Sequence, residues 1–112
     1  MNRVVVTGLG FISSIGNNRA AVLDSLREGR SGIEFMPELA AMNDRVKLAG
    51  TVKGFHFPTS DPLDWSFPEN VQFSRTQLRT MIPNAVYSVA AMEEAISDAQ
   101  LDPTLVSSSE TG

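Results

Sequence analysis

Gly8-Leu9-Gly10, separated by Thr7 from the apolar run Val4-Val5-Val6, is the segment whose spacing comes nearest to chemistry. It has the opening of a G-x-G-x-x-G loop, in which pyrophosphate rests on a helix N-terminus. The third position is Ser13 and the next helical pattern starts several residues later, so the close strand-to-helix turn that aims amides at phosphate is not encoded. A structural use of these glycines, through positive φ or tight backbone packing, is therefore preferred to nucleotide binding. Ser13 and Ser14 lack a G-x-S-x-G setting and a partner base, so turn and capping roles are expected. His56, between Phe55 and Phe57, has no second histidine, no cysteine and no carboxylate at ligand spacing, and reads as a strand or loop residue. Asp61 and Asp64 read as turn formers, and Trp65 as a side chain covering its loop. Arg75 and Arg79 stand four apart, which on a helix puts two guanidinium groups on one face and makes an anion contact possible; spacing alone favours an ordinary solvated face.

The composition narrows the choices further. With 112 residues, 42% hydrophobic and 20% charged, the chain has the size and apolar content of one small domain. No apolar stretch approaches the roughly 18 residues of a bilayer-spanning helix, and no secretory signal pattern follows Met1, so a cytoplasmic location is the default expectation. Zero cysteines exclude a disulfide, a thiolate metal site and a cysteine nucleophile within these residues, and one histidine leaves no zinc cluster. A net charge of -4 disfavours generic attraction to nucleic acid or anionic lipid. No membrane, nucleic-acid, metal or cofactor role is expected.

The elements that position these residues follow from local pattern. Arg3–Gly10 reads as a central parallel strand buried on both faces and ending in a tight turn. Arg19–Glu28 reads as a helix, with Asn17 or Asn18 as N-cap and Gly29 just past its end. Residues 29–43 read as an irregular connection with one helical turn over Glu38–Met42. Val46–Phe57 accommodates one or two short strands with bends at Gly50 and Gly54, and the prolines at 58, 62 and 68 mark a surface loop. From Thr80 the spacing of Ile82, Val86, Val89 and Ile96 predicts a long helix that starts or breaks at Pro83. Glu93, Glu94, Ser97 and Asp98 fall on its other face, and Leu101-Asp102-Pro103 ends it.

Two blocks carry a family resemblance. The opening VVVTGLGFISSIGNN with LREGRSGI at Leu26–Ile33, and the ending M-E-E-A-I-S-D-A-Q-L at 92–101, resemble the β-ketoacyl-acyl-carrier-protein synthases, particularly the elongating type I branch. The resemblance implies an α/β fold of the thiolase-like layered type, with a mixed central sheet and packed helices. Residues 1–112 would be an incomplete first half of that fold, truncated before the catalytic cysteine and two histidines. It implies that the parent is a homodimeric acyltransferase of fatty acid biosynthesis that extends acyl chains by decarboxylative Claisen condensation with malonyl-acyl-carrier protein. A non-catalytic chain-length-factor-like partner of a polyketide or fatty acid synthase is the alternative. No catalytic residue is expected here; Arg75 and Arg79 match two positions at which the family docks acyl-carrier protein. Thr76 stands where a lysine is usual, and Pro83 where the family helix is normally continuous. Alone, such a segment is expected to be loosely folded or dependent on a partner, because a central strand needs neighbours on both edges.

Overall fold

The computed structural model describes residues 3–112. Its helices are α1 (Arg19–Arg27), α2 (Pro37–Met42), α3 (Arg75–Leu78), α4 (Pro83–Asp98) and α5 (Pro103–Val106). Two short strands, β1 (Ile33–Phe35) and β2 (Leu48–Gly50), pair antiparallel in the register Ile33 to Gly50, Glu34 to Ala49 and Phe35 to Leu48. Helices with a small sheet agree with an α/β chain.

Helix α1 forms where its caps predict. Asn18 Oδ1 accepts the Ala21 amide at 2.8 Å, and Gly29, at φ +64°, closes the C-terminus. The bonds Gly29 N to Leu26 O and Arg30 N to Ser25 O complete a Schellman ending. Helix α4 begins at Pro83, whose missing N–H costs nothing at the first helical position. A four-residue helix cannot persist by propensity alone, so α3 relies on a capping box between Ser74 and Gln77 and on the buried Leu78.

The core is an aromatic and aliphatic cluster between α4 and the segment from Val52 to Phe73. Phe55, Val71, Val86 and Ala90 are its buried members, and Val86 is fully enclosed. Phe57 meets Trp65 edge-on at a centroid distance of 5.1 Å and Tyr87 at 5.6 Å, and Phe67 meets Phe73 at 5.4 Å. Edge-to-face pairs place the positive rim of one ring on the negative face of another. The proline-rich loop thus rests on α4 through its aromatic side chains.

Three features differ from the sequence expectation. Arg3–Gly10 forms no strand: Val4 and Val6 are 96% and 81% exposed, because no other strand among the described residues lies beside them to take their backbone hydrogen bonds. β1 falls within a stretch expected to be irregular, and α5 lies beyond the expected last helix. Arg75 and Arg79, as their spacing and the break at Pro83 lead one to expect, sit on α3 and its C-cap, ahead of the long helix. Pro83 separates the two.

Candidate functional site

Ser74 starts the basic turn. Its Oγ accepts the Gln77 amide at 3.2 Å while Gln77 Oε1 accepts the Ser74 amide at 2.9 Å, satisfying two donors at the helix start. Leu78 is buried and holds this turn against the body, leaving Arg75, Thr76 and Arg79 exposed. Arg79 keeps helical angles, φ -60° and ψ -21°, and its amide donates to Arg75 O at 3.3 Å. The two arginines therefore stand one turn apart on one face. Like Arg27, Arg45 and Lys47, neither has an acidic partner among the described residues, where the ion pairs join Arg19, Arg30 and Lys53 to Asp98, Glu28 and Glu34. A pair of unneutralised guanidinium groups on a surface turn suits an anionic partner.

The glycine motif has a different use. A Cβ on Gly8 would lie 2.2 Å from Ala95 O, and one on Gly10 would lie 1.8 Å from Ala91 O. Neither glycine has positive φ, so close approach to α4 requires them. The amides that a phosphate would need are already engaged: Leu9 N–H donates to Asp98 Oδ2 at 3.0 Å, and Phe11 N–H to Glu94 Oε2 at 2.8 Å. Glu94 Oε1 accepts the Arg19 amide at 2.7 Å, at the N-terminus of α1. Internal carboxylates occupy the place that the dinucleotide reading reserved for a ligand, and that reading is set aside.

Periodicity puts Glu94 and Asp98 on a polar outer face and cannot reveal their bonds to backbone. The Asp98 carboxyl is held below its ordinary pKa, first by the Leu9 amide and then by Arg19. The remaining candidates behave as expected. Ser13 Oγ donates to Gly16 O at 3.0 Å inside a turn. His56 is exposed and pairs through its backbone with Ser66, N–H to O at 3.0 Å. Asp61 Oδ1 caps a 3-10 turn at the Leu63 amide, and Trp65 Nε1 donates to Thr59 O at 2.8 Å within its own loop. Among the described residues no cluster of histidine, aspartate and glutamate is fit to hold a metal, and no helix is long and apolar enough to cross a membrane.

Comparison with known proteins places this geometry. The family described as "Beta-ketoacyl synthase, N-terminal domain" matches the chain over residues 1–112. The chain belongs to that family. Its relatives include "3-oxoacyl-[acyl-carrier-protein] synthase 1" of Haemophilus influenzae, 44% identical over 112 residues, covering 100% of this chain and 24% of the relative. The protein of the same name from Escherichia coli strain K12 is 44% identical over 103 residues, covering 92% and 22%. "3-oxoacyl-[acyl-carrier-protein] synthase 2" of Staphylococcus aureus strain COL is 32% identical over 100 residues, covering 89% and 21%. The chain thus spans between 21% and 24% of the length of these relatives. In this β-ketoacyl synthase domain the run M-E-E-A-I-S-D-A-Q-L forms the C-terminal half of α4 and its cap, and the glycines of the opening block lie against it.

Proposed function

We propose that this chain is the N-terminal part of an acyl-chain-elongating 3-oxoacyl-[acyl-carrier-protein] synthase of fatty acid biosynthesis, a cytoplasmic homodimer with a thiolase-like layered fold. The observation that carries this reading is 44% identity to a synthase 1 across all 112 residues. On this reading Arg3–Gly10 is a strand of a mixed central sheet whose partner strands lie elsewhere in the synthase, and α4 is the helix packed on it.

The reaction moves an acyl group from its carrier thioester to a cysteine sulfur. Malonyl-carrier protein then loses carbon dioxide, and the resulting carbanion attacks the acyl-enzyme carbonyl and expels the cysteine thiolate. An oxyanion hole stabilises the negative oxygen formed in that attack. This chain has no cysteine and one histidine, so the nucleophile and the histidine pair belong to other residues of the synthase. The contribution of residues 1–112 is scaffold and docking.

Arg75 and Arg79 receive the acidic carrier protein. Exposed ion pairs are worth about 0.2–1 kcal/mol each, so these arginines chiefly steer encounter and set orientation. Replacing both by glutamate in the full-length synthase is expected to weaken carrier binding about tenfold at low salt, because repulsion replaces attraction. Added salt should narrow the difference. Titration of carrier protein against both forms checks this, and equal affinity at low salt would remove the docking assignment.

A further inference from the structure

Among the described residues, the segment Arg3–Ile12 makes two hydrogen bonds to the rest of the molecule, and both end on carboxylates of α4. Leu9 donates to Asp98 Oδ2 at 3.0 Å, and Phe11 donates to Glu94 Oε2 at 2.8 Å. The second oxygen of each carboxylate reaches the first residue of α1: Glu94 Oε1 accepts the Arg19 amide at 2.7 Å, and Asp98 Oδ1 accepts Arg19 Nη1 at 2.7 Å. Beneath them Gly8 and Gly10 lie against the backbone of α4 at Ala91, Ala95 and Ala99. The four bonds use all four carboxylate oxygens.

The geometry points to a two-carboxylate clamp in which Glu94 and Asp98 serve as fixed internal anions, fastening the N-terminal segment to α4 and tying α1 to the same point. Charge-assisted hydrogen bonds to amides are the stronger kind, and a negative group at the start of α1 also meets the positive end of that helix. The clamp requires both oxygens of Glu94 to accept. A glutamine there offers one acceptor and one NH2 donor, so either Phe11 or Arg19 is left with an N–H facing a donor. Swapping acid for amide is therefore disruptive despite equal size.

The charged groups around the clamp are Arg19 from α1 and Glu93, which lines the neighbouring groove on α4; Gly8–Ile12 contributes no titratable side chain. The sign for Asp98 follows from its lowered pKa. Its fastening is complete above the ordinary aspartate range and is lost as pH falls through the lowered value.

The test is amide exchange resolved to single residues in the full-length protein, with Ala90 in the middle of α4 as internal reference. In Glu94→Gln, exchange at Phe11 and Arg19 should accelerate at least tenfold while Ala90 is unchanged; Asp98→Asn should do the same at Leu9. Glu94→Ala should regain protection at Phe11 with added formate more than with chloride at equal ionic strength. The unaltered protein gives an independent reading: on acidification, protection at Leu9 should disappear before protection at Ala90. Equal protection factors in the glutamine variant and the parent, or simultaneous loss at Leu9 and Ala90 in acid, would overturn the clamp.

Discussion

Gly10 shows how a single hydrogen in place of a methyl sets the packing of a whole segment. An alanine Cβ there would meet Ala91 O at 1.8 Å, a backbone atom that cannot rotate away. Gly10→Ala is expected to cost about 1–3 kcal/mol, the range of overpacking, as the segment lifts from α4. Urea denaturation of the full-length protein would record it as a lower midpoint with an unchanged slope. The sequence allowed either positive φ or close packing at Gly8 and Gly10, and the structure selects packing. Glu94 and Asp98 were illegible for a different reason. Apolar periodicity assigns the polar face of α4 by default to solvent, whereas these carboxylates bind amides 83 and 89 residues away in the chain. No local pattern records such a bond.

At the scale of elements, α1 and α4 end in the same motif with different residues. In α1 the left-handed position is Gly29; in α4 it is Gln100, at φ +54°, with Leu101 N–H donating to Ile96 O and Gln100 N–H to Ser97 O. A residue with a Cβ is strained there, and glycine is not. Gln100→Gly is expected to raise stability by about 0.5–1 kcal/mol, measured by the shift in thermal midpoint. The start of α4 at Pro83 and both ends of α1 were legible because caps are local chemistry. Strand β1, three residues long, and α5, four residues long, were not. Too few residues stand in each for a period to emerge, and the partner that makes β1 a strand is β2, thirteen residues further on.

The molecule as a whole is more open than its length predicts. A compact domain of 112 residues has a radius of gyration of about 13 Å, and this one has 17.1 Å. Its accessible area is 8645 Å², against about 6,000 Å² for a compact monomer of this mass. Val4, Val5 and Val6, with Leu26, Met42 and Ile82, are among the large apolar side chains left exposed. The β-branched pattern of Val4–Val6 marks it as interior strand, but burial needs neighbouring strands, and among the described residues none lies beside it, so it stays bare. The isolated 112-residue chain is therefore expected to bind a hydrophobic dye and to self-associate at micromolar concentration. A sharp, cooperative melt from a monodisperse monomer would contradict this. The ring cluster on α4 supplies a gauge for such work without any label. The sole indole of these 112 residues, Trp65, stands edge-on to Phe57, so in the isolated chain its emission colour registers whether the proline-rich loop is still packed on the rings as unfolding proceeds.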